Sequence, residues 1–193
     1  MSKALVLGCG ASGIASVRFL KRRGWTVALA DTRESPSSLA EFKQEFPDVP
    51  FTGGSLPLEL LDGCDALVLS PGLSPEHSAA SFLVAKARAS GMDVLGEIEL
   101  FARELAHLNK TQGYRPKVVA VTGTNGKTTT TRLTGLMVRQ ANRTVCTAGN
   151  IGPNAVCELD RLLEEGKLPD FWVLELSSFQ LATTTSLDCD AAA

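Results

Sequence analysis

Short apolar runs alternate with longer amphipathic stretches along the chain, which is typical of a parallel α/β protein. In the first half, apolar runs predict buried strands at residues 3–7, 25–30, 66–69 and 94–95. Apolar positions at helical spacing predict the intervening helices at residues 12–23, 37–46, 78–90 and 97–108. Several of these segments stop beside a glycine or proline, which supplies a natural helix end.

The same alternation restarts after a polar segment, residues 109–116, which contains Gly113 and Pro116 and has no apolar period. We interpret this segment as a linker and predict two domains, at residues 1–112 and 113–193. Beyond it, strands are predicted at residues 118–121, 144–147 and 171–174, and helices at 131–141 and 154–165. Residues 187–193 have the pattern of a further strand. Since so few strands make a small sheet, the second domain is expected to be incomplete.

A candidate phosphate loop lies at residues 122–128, Thr-Gly-Thr-Asn-Gly-Lys-Thr, between an apolar strand and a helix opened by Gly-Lys-Thr. Small loop residues let backbone N–H groups point at anionic oxygens, and the helix adds its positive end. The general pattern G-x-x-x-x-G-K-[ST] is incomplete, because Val121 stands where its first glycine belongs. An ordinary helix start is the alternative. The predicted ATP contacts are Gly123, Thr124, Asn125, Gly126, Lys127, Thr128 and Thr129.

The strand predicted at residues 171–174 ends on Glu175, a natural magnesium partner in a phosphate-loop domain. The ion would lie between the Thr128 hydroxyl, Glu175 and phosphate oxygens. A Glu175 side chain in solvent, or one that caps a neighbouring element, is the other interpretation. The turn around Asn150 and the segment 177–180 also follow predicted strands, so they could face the same cleft.

A second glycine motif, Gly8-x-Gly10-x-x-Gly13, follows the first strand, and Asp31 ends the next strand, 18 residues after Gly13. This is the dinucleotide-binding fingerprint of a Rossmann-like domain, in which the acidic residue receives a ribose hydroxyl. A pocket for a diphosphate and a ribose suits a nicotinamide dinucleotide and a UDP-sugar equally. A tight turn without a ligand is the remaining alternative.

Composition narrows the class of protein. The formal net charge is −2 and no dense Lys/Arg stripe is present, which argues against a nucleic-acid partner. No apolar run approaches membrane length, and the five cysteines are scattered without C-x-x-C spacing. A cytoplasmic protein with reduced thiols and no membrane partner is therefore expected.

Taken together, these strings resemble the Mur ligases of bacterial cell-wall synthesis, and the resemblance runs along the whole chain. Within that family they are similar to the member that adds D-glutamate. The strings that carry the resemblance are the loop at residues 122–128, the turn at 149–152, and the segments 174–181, 31–33, 70–72 and 96–101.

The resemblance implies a Rossmann-like first domain that holds the UDP part of UDP-N-acetylmuramoyl-L-alanine, and a P-loop-type second domain that binds ATP and Mg²⁺. Lys127 and Glu175 would be catalytic, and Thr128 and Glu175 would hold the metal. The substrate carboxylate would take the γ-phosphate, and the amino group of D-glutamate would then attack the acyl phosphate. The implied UDP-substrate contacts are Ala11, Ser12, Asp31, Thr32, Arg33, Ser70 and Gly72, with Asn150 and Ser178 towards the muramoyl end or a second metal.

The chain departs from the family in length. Members are similar to three-domain enzymes with a carbamylated lysine, a histidine near a second magnesium, and a C-terminal domain for the amino acid. Without those parts, we expect a monomer with little or no ligase activity by itself. The alternatives are an NAD(P)-dependent oxidoreductase, which would leave Lys127, Thr128 and Glu175 without a role, and a non-catalytic nucleotide-binding module.

Overall fold

A computed structural model describes residues 2–193, and the chain divides into two compact units, Met1–Glu97 and Ile98–Ala193. This boundary lies earlier than the predicted one at 112/113. Helix α4 (Glu97–Gln112) runs through part of the expected linker and packs within the second unit from Ile98 onward. Its last turn is exposed and polar. The composition of such a turn cannot be told from that of a linker, which explains why the compact units and the predicted domains divide at different residues.

The first unit is built on a parallel sheet whose strand order is β3-β2-β1-β4-β5. Order reverses on the two sides of β1, so the carboxyl ends of β1 and β4 form a topological switch point, where open α/β sheets bind ligands. The predicted α/β class is confirmed. The strands are β1 (Lys3–Leu7), β2 (Thr26–Asp31), β3 (Phe51–Gly53), β4 (Ala66–Leu69) and β5 (Asp93–Leu95).

The core of this unit lies on β1 and β4, whose leucines pack against Leu83 of α3. Continuous apolar runs form these strands because parallel strands are covered on both faces. Strand β3 and a 3₁₀ turn at Leu58–Leu61 escaped prediction, since neither is long enough to show a period. The helices are α1 (Ala11–Arg22), α2 (Leu39–Glu45) and α3 (Ser81–Ala89).

The second unit has a parallel sheet of order β7-β8-β6-β9. Val121 of β6 and Gly149 of β7 both pair with Glu175 of β8, so these strands end level with one another. The short strand β9 confirms the expectation of a further strand at residues 187–193. The strands are β6 (Lys117–Val121), β7 (Val145–Gly149), β8 (Phe171–Glu175) and β9 (Ala191–Ala192).

Trp172 of β8 is fully buried at the centre of the second unit. Its ring packs edge-on against that of Phe101 of α4, with the ring centroids 4.8 Å apart. Its Nε1 donates to the Tyr114 hydroxyl at 2.9 Å. Tyr114 in turn donates to the carbonyl of Pro169 at 2.8 Å. These contacts anchor β8, the strand that ends on Glu175. The other helices are α5 (Lys127–Gln140), α6 (Ala155–Glu164) and α7 (Ser178–Leu181).

Helix α5 begins at the phosphate loop and packs over β7 and β8 through Thr131 and Gly135, both buried. A Cβ on Gly135 would lie 2.7 Å from the Thr147 methyl, so this helix sits close against the sheet. In the part of the chain that the structure describes, no helix is long and apolar enough to cross a bilayer.

Candidate functional site

The predicted UDP-substrate residues of the first unit line one cleft of about 410 Å³ at the carboxyl ends of β1, β2 and β4. Three separate loops converge there because parallel strands end at the same sheet edge. The lining consists of Gly8, Gly10, Ala11, Ser12, Asp31, Thr32, Arg33, Ser70, Pro71, Gly72 and Leu73. The seven residues predicted for this site from the first unit are therefore neighbours in the structure. Asn150 and Ser178 belong to the second unit, and their predicted substrate contact stays a prediction.

The glycine turn that forms one wall of this cleft depends on close packing. A Cβ on Gly13 would lie 1.8 Å from the carbonyl oxygen of Gly8, so only glycine lets α1 start directly against the turn. Gly8 has φ +101° and accepts a hydrogen bond from the Ser70 hydroxyl at 3.1 Å. The turn is therefore joined to the loop after β4, and both present backbone groups to the cleft.

Asp31 is almost fully buried at the end of β2, and each of its carboxylate oxygens accepts two hydrogen bonds. Oδ1 accepts from the backbone N–H and the Nε of Arg33, at 2.9 and 2.8 Å. Oδ2 accepts from the Cys9 N–H at 2.7 Å and from Arg33 Nη2 at 2.8 Å. Burial alone would raise the pKa of Asp31, but the Arg33 guanidinium and these N–H donors outweigh it and lower the pKa to about 2.

This arrangement bears on the identity of a ligand. In a nicotinamide-dinucleotide site the corresponding carboxylate accepts hydrogen bonds from ribose hydroxyls. Here the Asp31 oxygens already accept hydrogen bonds from protein donors. The Arg33 side chain, in contrast, is 60% exposed at the cleft. The cleft therefore offers a cation held in place by Asp31, which suits an anionic group such as a diphosphate.

The phosphate loop of the second unit runs from the end of β6 to the first residue of α5. Gly123 and Gly126 have φ +126° and +81°, conformations that other residues rarely adopt, so the glycines are needed for the shape of the loop. The Lys127 Nζ donates to the Gly123 carbonyl at 2.6 Å and so lies across the loop. The loop is exposed and leads into the N-terminus of a 14-residue helix, which attracts anions.

Glu175 lies beside this loop with only 1% of its surface exposed. The Thr128 hydroxyl donates to Glu175 Oε2 at 2.9 Å, and the Asn150 side-chain amide donates to Oε1 at 3.0 Å. Glu175 is therefore neither in solvent nor a helix cap, which removes the alternative left open by the sequence. A side-chain hydroxyl and a carboxylate are hard oxygen ligands, and Mg²⁺ is commonly held by one or two such groups together with substrate phosphates.

The described residues 2–193 contain no cluster of three or more His, Cys, Asp or Glu side chains that could hold a metal ion. A magnesium ion held by Thr128, Glu175 and phosphate oxygens requires no such cluster, so the residues present fit the ion. Its place in this chain remains a prediction.

The segment after Glu175 has a structural feature that the sequence analysis missed. Ser177 caps α7 by accepting from the Gln180 N–H at 3.2 Å, while the Gln180 side chain accepts from the Ser177 N–H at 2.9 Å. This capping box has the sequence signature S-x-x-Q, which could have predicted the helix. It leaves Ser178 and Phe179 exposed in the first turn.

Two family models match the chain. The Mur ligase MurD-like N-terminal domain matches residues 2–96, and the Mur ligase middle domain matches residues 121–193. The chain therefore belongs to the Mur ligase family, as the sequence strings indicated, and it comprises the N-terminal domain and residues of the middle domain. The first match ends next to the boundary between the two compact units.

Individual relatives refine this assignment. The chain is 52% identical over 188 residues to UDP-N-acetylmuramoylalanine–D-glutamate ligase of Ralstonia nicotianae, covering 97% of this chain and 38% of that protein. It is 51% identical over 190 residues to the ligase of the same name from Burkholderia cenocepacia, covering 98% and 38%. A pseudomurein peptide ligase type C from Methanothermus fervidus aligns with a TM-score of 0.44 and 25% identity, covering 92% of this chain and 33% of that one. The chain thus spans about 38% of the length of these curated relatives.

Proposed function

We propose that this chain supplies the UDP-substrate site and part of the ATP site of a cytoplasmic, monomeric ligase that adds D-glutamate to UDP-N-acetylmuramoyl-L-alanine in peptidoglycan precursor synthesis. One observation carries the proposal. The Thr128 hydroxyl meets the buried Glu175 carboxylate at 2.9 Å directly beside a Gly-Lys-Thr loop. Relatives that are named for this reaction and are just over half identical support the choice of substrate.

The second unit would bind ATP. Backbone N–H groups of the loop at residues 123–129 would cradle the phosphates, and Lys127 would exchange its bond to the Gly123 carbonyl for a phosphate oxygen. Thr128 and Glu175 would hold Mg²⁺, which neutralises charge on the outer phosphates when it is bound.

Lys127 would contribute to the chemical step through its charge. The carboxylate of the substrate's alanine attacks the γ-phosphorus, the bond to the ADP oxygen breaks, and an acyl phosphate forms. The D-glutamate amine then attacks the acyl carbon, loses a proton, and inorganic phosphate leaves as the amide forms. A fixed cation beside the transferring phosphoryl group stabilises the charge that spreads over its oxygens.

The cleft of the first unit would hold the UDP part of the substrate. Arg33, which Asp31 holds at the cleft, would contact the diphosphate, and the loops at residues 10–12 and 70–72 would surround the rest of the UDP group. The saturated Asp31 carboxylate disfavours a nicotinamide dinucleotide. That alternative would also leave the contact between Thr128 and Glu175 without a role.

Calorimetric titration of the chain with UDP-N-acetylmuramoyl-L-alanine, ATP·Mg²⁺ and NADPH tests the proposal. We expect saturable binding of the UDP-sugar and of ATP, and no binding of NADPH. Binding of NADPH in place of the UDP-sugar would overturn the proposal in favour of an oxidoreductase. Binding of ATP without the UDP-sugar would instead indicate a simpler nucleotide-binding module. Release of ADP that depends on D-glutamate would contradict the expectation of little turnover by this chain alone.

A further inference from the structure

The loop that follows β2 lies against the end of β3. Asp31 is paired with Gly53 in the sheet, and the Gly54 N–H donates to the Asp31 carbonyl at 3.0 Å. Beyond Asp31 the chain turns back over β3, so a Cβ on Gly53 would lie 2.6 Å from the Glu34 carbonyl oxygen and 3.0 Å from that of Arg33. The loop that rests on this glycine is also the one that brings Arg33 to the cleft of the first unit.

Space, and not backbone conformation, explains the glycine at position 53. The φ of Gly53 lies outside the left-handed region, so other residues could adopt the same backbone conformation. A Cβ would instead meet two peptide carbonyls, which cannot rotate away as the end of a side chain can. Gly54 differs, since its φ is +77° and a Cβ there would first meet the Glu34 side chain, at 2.8 Å from Cγ. Gly53→Ala is therefore a direct probe of the contact between β3 and the loop.

Two movements could relieve the overlap that Gly53→Ala creates: β3 could leave β2, or the loop could lift from β3. Backbone hydrogen bonds join the two strands on both sides of the glycine, from the Leu29 N–H to the Pro50 carbonyl at 2.9 Å and from the Gly54 N–H at 3.0 Å. Residues 33–35 of the loop, in contrast, are exposed, and exposed segments move at a low cost in free energy. The loop is therefore the part that we expect to move.

A shift of this loop would displace the Arg33 guanidinium. Its Nε and Nη2 donate to the two carboxylate oxygens of Asp31, each at 2.8 Å. Hydrogen bonds of this kind depend on both distance and angle, so they hold the guanidinium in place only while the backbone at position 33 stays where it is. The position of the exposed cation at the cleft thus depends on how closely the loop approaches β3.

We infer that Gly53 is a positioning residue for Arg33 in the UDP-substrate site, although it lies outside the set of residues that line the cleft. The absence of a Cβ lets the loop lie directly on β3, and this contact sets where the guanidinium meets the ligand. The inference rests on the proposed function, because that function supplies the UDP group for Arg33.

A double-mutant cycle, measured by calorimetric titration with UDP, tests the inference. Gly53→Ala should weaken UDP binding about tenfold, the loss expected when one charge-assisted bond is misplaced. In the Arg33→Ala background the same change should weaken binding by less than about threefold, because the group that it displaces is already absent. Thr52→Ala is the matched control, since it alters the preceding residue of β3, on the opposite face of the strand, and adds no bulk. It should leave the UDP affinity unchanged.

Hydrogen exchange separates movement of the loop from movement of the strand. In Gly53→Ala the amides of Leu29 and Gly54, which join β2 and β3, should exchange as slowly as in the unaltered chain. The amides of β1, at the centre of the sheet, should also stay protected. Faster exchange at Leu29 and Gly54 would mean that β3 leaves β2, and loss of protection in β1 would mean that the glycine is needed for folding. Either result would overturn the inference.

The binding outcomes distinguish this inference from the proposed function. If the unaltered chain does not bind UDP, both are overturned. If it binds UDP and Gly53→Ala binds equally well, only the inference is overturned. An equal loss from Gly53→Ala with and without the Arg33 side chain would also overturn the inference alone, since the glycine would then act independently of Arg33. The same holds if Arg33→Ala leaves the UDP affinity unchanged.

Discussion

Each of the two units has a glycine-bearing loop between a strand and a helix, and each places a buried carboxylate at the end of a neighbouring strand. The partners of the two carboxylates differ. Asp31 accepts bonds from two backbone N–H groups and from the guanidinium of Arg33. Glu175 accepts from the neutral side chains of Thr128 and Asn150.

The difference lies in the charge of the groups that each carboxylate meets. A carboxylate paired with arginine has its charge balanced inside the protein, and it serves to hold the arginine at the cleft. The hydrogen-bond partners of the Glu175 carboxylate, in contrast, are neutral side chains. The first arrangement presents exposed guanidinium N–H donors at its cleft, and the second places a carboxylate beside the phosphate loop, although both carboxylates are buried to the same degree.

The largest expected effect is on nucleotide binding by the second unit. Lys127→Ala should weaken ATP binding about 100-fold or more, because a fixed charge aimed at phosphate oxygens is removed. Titration with a fluorescent ATP analogue measures this. The control is Lys167→Ala, which alters an exposed lysine paired with Glu165 outside the loop. Loss of affinity of less than threefold in Lys127→Ala would show that the loop does not bind phosphate.

The second largest effect is expected from acid, which should break the ion pair between Asp31 and Arg33 in the first unit. The folded pKa of Asp31 is lowered from 3.8 to about 2. The pairing therefore stabilises the first unit above about pH 4, and the benefit is lost as the pH falls through about 2. The full difference amounts to about 2 kcal/mol at neutral pH. About half of it, roughly 1 kcal/mol, is lost by pH 3. Hydrogen exchange of the β1 and β2 amides at pH 7 and pH 3 measures this part, and Asp31→Asn should remove most of this pH dependence.

A third change sharpens the role of the exposed cation. Arg33→Ala should weaken the binding of UDP by about tenfold, the loss expected for one charge-assisted bond to a diphosphate. Calorimetry with UDP measures this, with Arg88→Ala as the control, since Arg88 is exposed on α3 and does not line the cleft. Equal UDP affinity for both variants would mean that Arg33 serves only Asp31.

The smallest effect separates stability from binding in the second unit. Tyr114→Phe removes the acceptor of the Trp172 N–H and the donor to the Pro169 carbonyl. The free energy of unfolding should fall by about 1–2 kcal/mol, because a buried N–H loses its partner. Urea denaturation measures the loss, and ATP affinity should not change. A fall in ATP affinity would instead show that this cluster controls the position of Glu175 during binding.

Much of the fold could be predicted because parallel strands are buried on both faces and appear as continuous apolar runs. The first glycine loop has the spacing of its motif, and the loop at residues 122–128 departs from its general pattern only at Val121, so both sheet edges could be predicted as candidate sites. Hydrogen bonds between side chains that lie far apart in the sequence produce no such pattern. Nothing in the sequence shows that Asn150 would reach Glu175 or that Arg33 would fold back on Asp31. The compact units divide earlier in the chain than the predicted domains, because the exposed end of α4 has the composition of a loop.

The buried Trp172 gives the second unit an optical reporter of its own. The chain has two tryptophans, one in each unit, Trp25 and Trp172. Trp172 is wholly shielded from solvent and hydrogen-bonded, whereas Trp25 is only half-buried. Replacement of Trp25 by phenylalanine would leave an emission spectrum that reports on the second unit alone. A red shift of that emission would then mark the unfolding of the unit that carries the phosphate loop.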